Sequence, residues 1–306
     1  MPTLRDVRRR ILSVKNTQKL TRAMKMVASS KLRRAERFLV QARPYSKKMM
    51  EVVASLAFRT GVKDNPLLRP GGSGKVELVV LTGDKGLCGG FNSNVLRFAV
   101  SSIKGGHVDK EVELFPVGKK GRDFFKRRPE YSVCDEYVNF WRTFSLSDAT
   151  HVAQKITAAF VERSYQAVYL VYNEFKTALV QRVVLEQLLP ITQTQVSEAE
   201  ATPGAQTTDS KDSEEPEAVR TDYLYEPSAA ALLNDLLRQH IEFQIYRALL
   251  ESQASEQGAR MTAMEAATDN ADDMIRVLTL QYHRARQASI TKELIEIVSG
   301  AEALAG

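Results

Sequence analysis

The residues best placed for chemistry in this chain are four glycines. In the stretch LTGDKGLCGGFN, Gly83, Gly86, Gly89 and Gly90 separate a β-rich apolar run, Val76 to Leu81, from a helical segment at about Asn92 to Ser102. A loop between a strand and a helix N-terminus is where backbone N–H groups can cradle a phosphate. The Lys-Ser/Thr pair of a P-loop is absent, because Gly90 is followed by Phe91, and the spacing is not G-x-G-x-x-G. No acidic residue closes a second strand where a ribose would need one. Two readings stand: a nucleotide cradle, and a structural turn in which glycine supplies positive φ and lets a helix approach closely. The missing lysine and acid favour the turn. The remaining candidates are sparser still. His107, His151, His240 and His283 have no metal-ligand spacing. Cys88 and Cys134 suggest neither a metal site nor a disulfide framework and fit a reducing compartment. No Ser-His-Asp or Cys-His constellation emerges.

The elements that must position this loop have an unusual layout. From about Ala229 to Leu304 the chain has no proline and only Gly258 and Gly300 as glycines. Within it, Leu250, Ala254, Gln257, Met261, Met264, Thr268, Ala271, Ile275, Leu278, Tyr282 and Ala285 fall at steps of four and three, the seam of a coiled coil. Such a helix would reach roughly 110 Å, too long for a compact domain of this size. Residues 3 to about 58 give a second helical seam, through Leu4, Val7, Ile11, Val14, Gln18, Thr21, Lys25, Ala28, Leu32, Ala35, Leu39 and Ala42, then Met49, Val53 and Leu56. Pro44 should kink this helix or mark a change of partner. The two helices are expected to pair antiparallel. The C-terminal one then outruns its partner from about Arg286, with Ile290, Leu294, Ile295, Ile297 and Val298 on more than one face and in need of a sleeve.

Between the helices the texture changes. Gly61 to Gly74 reads as a linker. Strands are expected at Val76 to Leu81, Val112 to Val117, Val133 to Tyr137, Ala167 to Tyr172 and Ala178 to Leu188. Helices are expected at Lys119 to Lys126 and Asp148 to Arg163, besides the one after the loop. This alternation predicts an α/β fold class, a Rossmann-like, mostly parallel sheet inserted between two long helices. The domain reading is 1–60 for the N-terminal coiled-coil helix, 75–193 for the α/β domain, 194–227 for an acidic loop and a foot segment, and 228–306 for the C-terminal coiled-coil helix, capped by Ser228. Residues 197 to 220 carry seven acids against two bases and read as a surface loop.

Charge distribution adds a partner class. The first fifty residues hold fifteen Lys or Arg against two acids. That excess suits an acidic partner, whether nucleic acid, lipid headgroups or protein. A basic-helix nucleic-acid binder lacks base-reading patterns here and does not account for the inserted domain. No apolar run approaches the length of a membrane span, and the N-terminus has no continuous apolar core of a secretory signal.

The segments SVKNTQKLTRAMKMVASSKLRRAE, LTGDKGLCGGFNSN and DYLYEP, and the run from SEQGARMTAMEAATDNADDMI through RQASITKELIEIVSGAEAL, carry a specific resemblance. The chain resembles the γ subunit of F-type ATP synthase, of bacterial type, over essentially its whole length except the acidic loop. The resemblance implies a non-catalytic central-stalk rotor subunit, without cofactor or metal, that couples proton translocation to ATP synthesis and hydrolysis. It implies three α and three β subunits, the ε subunit and the membrane c ring as partners, no nucleic acid and no direct membrane insertion. The implied location is peripheral, at the cytoplasmic face of the bacterial inner membrane. Residue by residue, it implies rotor–stator contacts at Met24, Lys25, Arg260, Gln287, Thr291 and Glu296. A bearing tip is implied at Ile295, Val298 and Leu304, and foot contacts at Tyr223 and Tyr225. A seam poor in large aliphatic residues is then the expected form of a shaft that must turn without deep energy wells.

Overall fold

The computed structural model describes residues 3–60, 66–72, 74–105, 111–163, 165–191 and 229–305. The elements run α1 (Leu4–Thr60), a short 3-10 turn (Pro66–Leu68), β1 (Val76–Leu81), α2 (Phe91–Lys104), β2 (Val112–Val117), α3 (Lys119–Lys126), β3 (Ser132–Val133), α4 (Leu146–Glu162), β4 (Ala167–Phe175), β5 (Gln181–Leu189) and α5 (Ala229–Ala305). Ser228, Tyr223, Tyr225 and the acidic loop lie outside the described residues.

α1 starts on a reciprocal cap. The Asp6 N–H donates to Thr3 Oγ1 at 3.2 Å, and Asp6 Oδ2 accepts from the Thr3 N–H at 3.3 Å, so two of the helix's orphan donors are satisfied at once. Pro44 lies inside α1 and does not end it. The register of α1 against α5 also continues past it, because Tyr45 meets Phe243 with ring centroids 5.1 Å apart. α1 and α5 form the antiparallel pair. Thr21 Oγ1 and Thr268 Oγ1 share a buried hydrogen bond of 2.8 Å, Lys25 Nζ donates to Glu265 at 2.6 Å, and Gln18 donates to Asp272. Seven residues forward on α1, from Gln18 to Lys25, is seven back on α5, from Asp272 to Glu265. Carried to its end, that register sets Leu4 opposite about Arg286. Every seam residue from Leu250 to Ala285 is buried or half-buried, whereas all residues from Ile290 to Ala301 are exposed. Helical period alone therefore defines the shaft, and the shorter partner defines where it becomes single.

The sheet has the order β3-β2-β1-β4-β5, parallel except for the antiparallel edge strand β5. β3 is shorter than expected, with Tyr137 adding an isolated parallel bridge to Val117. β5 begins at Gln181, because Thr177 to Val180 close a hairpin turn. Alternate residues of β1 serve two cores: Val79 and Leu81 meet α4 and α5 residues such as Ile156 and Leu237, while Leu78 and Val80 meet Val95 and Phe125 from α2 and α3. α5 is thus both half of the coiled coil and part of the domain's own core. Leu233, Leu237, Ile241, Ile245, Ala248 and Leu249 all belong to that core.

One turn depends on glycine absolutely. At Gly118, φ is +105°, and an added Cβ would sit 2.0 Å from the Thr82 carbonyl oxygen. Gly118→Ala is therefore expected to cost roughly 3 kcal/mol or more through combined strain and clash. Gly72→Ala, where nothing lies within 4 Å, should stay within about 0.5 kcal/mol. Urea unfolding of the two variants checks this, and equal losses would refute it.

Candidate functional site

The glycine loop lies against the shaft. Its conformation is set from within: the Gly83 N–H donates to Asn92 Oδ1 at 2.8 Å, and Asp84 Oδ1 accepts from the Lys119 N–H at 2.9 Å. The Trp141 indole N–H donates to the Thr82 carbonyl at 2.9 Å. On α5, the Glu256 carboxylate sits beneath Gly83, where a Cβ would come within 3.0–3.1 Å of its carboxyl atoms. Arg260 donates to Glu256 one turn away, and also to the Gly86 carbonyl at 3.2 Å. Both side chains are largely buried. Burial pushes the Glu256 carboxyl up, with Arg260 opposing that shift and Asp84 adding to it.

At Gly83 this geometry supports the structural reading of the loop. A phosphate cradle needs free N–H groups and positive charge, but Gly83 spends its N–H on Asn92 and faces a carboxylate. Glycine serves here to let the domain approach the helix. The same device recurs beside it, where an added Cβ on Gly258 of α5 would lie 3.0 Å from the Ala178 carbonyl in the β4–β5 turn. Ser255 Oγ also donates to the Asn173 carbonyl at 3.0 Å. Two loops of the α/β domain are thus clipped to successive turns of α5. Among the described residues, no group of three or more His, Cys, Asp or Glu is placed to hold a metal ion.

The residues implicated from sequence fall into separate groups. Met24 and Lys25 are half-exposed on α1, and Lys25 is paired to Glu265 across the coiled coil. Lys25 also lines a basic groove with Arg22, Met26, Ser29, Arg33 and Arg37. Arg260 is engaged within the chain, as described. Gln287, Thr291 and Glu296 lie on the single-helix end of α5 and are exposed; Thr291 Oγ1 donates to the Gln287 carbonyl at 3.0 Å, and Lys292 lies 3.5 Å from Glu296. Ile295 and Val298 are 59% and 56% exposed, apolar side chains on a helix with no partner among the described residues. Leu304 is helical, and its side chain lies outside the description. Sequence reasoning missed Glu256 as the loop's counterpart. The available signal was its place between the seam positions Ala254 and Gln257, where a solvated carboxylate would be the ordinary expectation.

The ATP synthase family model matches residues 3–304. The ATP synthase gamma chain of Geotalea uraniireducens is 43% identical over 307 residues, covering 100% of both chains. That of Heliobacterium modesticaldum is 46% identical over 304 residues, covering 99% of this chain and 100% of the other. Among solved structures, a chain of the Tetrahymena thermophila mitochondrial ATP synthase central stalk and c ring is similar with a TM-score of 0.58 and 28% identity. It covers 81% of this chain and 99% of that one. A chain of the Euglena gracilis mitochondrial ATP synthase shares the fold at a TM-score of 0.66 and 19% identity, over 98% of this chain and 94% of that one.

Proposed function

The chain belongs to the ATP synthase gamma-chain family, and from that premise we propose that it is the rotor shaft of the complex, non-catalytic in itself. One observation carries this reading: an antiparallel helix pair bears an α/β domain on its side and ends in a single helix with apolar, uncovered faces. Such an end is costly in water, and a surrounding ring of α and β subunits would cover it. The α/β domain, with the foot segment holding Tyr223 and Tyr225, would sit outside that ring against ε and the c ring. The clips from the glycine loop and the β4–β5 turn onto α5 then carry torque between the domain and the shaft.

No helix among the described residues is long and apolar enough to cross a membrane. From its family the chain is assigned a peripheral place, held to the inner membrane through its partners on the cytoplasmic face. Met24, Lys25, Gln287, Thr291 and Glu296 are assigned to contacts with the ring, and Ile295, Val298 and Leu304 to its bearing. Arg260 is assigned an indirect part, holding the loop in place. Reconstitution tests the whole reading: the full-length chain should restore coupled ATP synthesis to a complex lacking this subunit, and failure to assemble with α and β would overturn it.

Lys25 allows a sharper test, because it has an internal partner. The exposed pair with Glu265 is worth little by itself, about 0–1 kcal/mol. If Lys25 works on an acidic ring surface, Lys25→Glu should slow rotation, and adding Glu265→Lys should not restore it. If the internal pair is what matters, the charge-swapped double variant should recover the original rate.

A further inference from the structure

His240, Gln244, Arg247 and Glu251 stand on one stripe of α5, spaced by three and four residues and so stacked on one helix face. Its Arg247 and Glu251 face the β4–β5 edge of the sheet, and Gln244 lies 3.5 Å from His240 Nε2 on the same face. Arg247 donates to Glu186 Oε1 on β5 at 2.6 Å, and Glu186 Oε2 accepts from the Tyr172 hydroxyl of β4 at 2.6 Å. Those contacts use only part of the hydrogen-bonding capacity present. Gln244 Oε1, Arg247 Nε and Glu251 Oε2 are each buried without a partner among the described residues. Three orphaned polar atoms on successive turns of one face form a pattern, since buried polar groups ordinarily find a partner in protein or in water.

We propose that this corner between α5 and β4–β5 is a binding site for a short file of ordered water molecules, which complete the hydrogen bonding of Gln244, Arg247 and Glu251. The chemistry of the three atoms selects the ligand. Arg247 Nε–H is a donor, whereas Gln244 Oε1 and Glu251 Oε2 are acceptors, and water serves both kinds. A cation would lie against the Arg247 guanidinium, and an anion against Glu186 and Glu251. Burial, and after it the Arg247 charge, push His240 down to about 4, so it brings no charge to the corner at neutral pH. At the same level, the helix's other buried faces are apolar, through Leu237, Ile241, Ile245, Ala248 and Leu249. α5 is thus held to the domain by a dry face and a wet one. The site requires nothing of rotation and stands independently of the rotor reading.

A high-resolution cryo-EM map of the assembled complex tests it directly. Water density is expected within about 3.5 Å of at least two of the three atoms. A corner closed by protein atoms, an empty one, or density at the short distances of a metal ion would overturn the proposal. Thermal unfolding of full-length Gln244→Met gives a second reading by its sign. In a wet corner the change removes one water partner, so the midpoint falls or stays. In a dry corner it removes an orphaned acceptor, and the midpoint rises; a rise would overturn the site.

Discussion

Arg260→Met is expected to destabilise the chain by about 3–5 kcal/mol, because it strands the buried Glu256 carboxylate without its counter-charge. The loss should also depend on pH. Burial already holds the Glu256 carboxyl above its ordinary value, and Arg260 opposes that shift. Without Arg260 the folded-state value climbs further, while the unfolded one does not move. A carboxyl raised in the folded state takes up a proton on folding, so it costs nothing well below its unfolded value and destabilises increasingly as pH rises through the window above it. The variant should therefore lie close to the parent at pH 4 and far below it at pH 8. Glu256→Gln in the same background should recover most of the loss, since a neutral amide needs no counter-charge. Urea unfolding at both pH values measures this. A pH-independent loss with no rescue would mean that Arg260 acts through packing alone.

That variant also bears on function through a different link. Arg260 donates to the Gly86 carbonyl as well, so its loss frees one of the loops clipped to α5. If torque passes through these clips, the assembled complex should keep hydrolysing ATP while its coupling to proton movement falls. The rescued double variant would regain stability and still lack the bond to Gly86. Stability and coupling are thereby separable in one pair of proteins.

Much of the fold was legible because it rests on period. The seams of α1 and α5 follow from steps of three and four. The register then fixes where α5 becomes single, since one helix is simply shorter. The strands were legible from short β-branched runs, apart from β3, whose end is a lone bridge at Tyr137. What could not be read was any partnership between distant residues. Nothing near Gly83 announces Glu256, and nothing near Gln244 announces the edge formed by Tyr172 and Glu186. Lys25 and Arg260 illustrate the same limit from the other side. As bare residue types they are cations open to any acidic partner, and only the tertiary contacts supply Glu265 and Glu256 from within the chain. The acid in VELVVL was equally opaque, because a strand sequence does not say whether its one polar residue points to water.

Glu77, that acid, gives the other large expected effect: Glu77→Gln should stabilise the protein by roughly 4 kcal/mol at pH 8 and by almost nothing at pH 4. Glu77 is 1% exposed, and its Oε2 has no partner among the described residues. Burial pushes the carboxyl up to about 8, with the Cys134 thiol, donating to Oε1 at 3.5 Å, and the Arg163 charge opposing. Its neighbour in register on β2, Glu113, has the opposite fate. Glu113 accepts from the Tyr165 hydroxyl at 2.5 Å, Arg163 at 2.9 Å and Lys75 at 3.4 Å, and these bonds hold it below the usual carboxylate range. Two glutamates side by side thus divide one supply of donors unequally: Arg163 bonds Glu113, and Glu77 folds most stably as the protonated acid. Between about pH 4.5 and 8 the unfolded chain releases the Glu77 proton and the folded chain keeps it, so stability falls across that window as pH rises. The glutamine variant cannot ionise and should flatten that slope. Cys134→Ala, by removing the thiol that donates to Oε1, should carry the fall on to higher pH. Unfolding free energies measured from pH 4 to about pH 9 distinguish these outcomes, and parallel curves for parent and Glu77→Gln would show that Glu77 is not the group responsible.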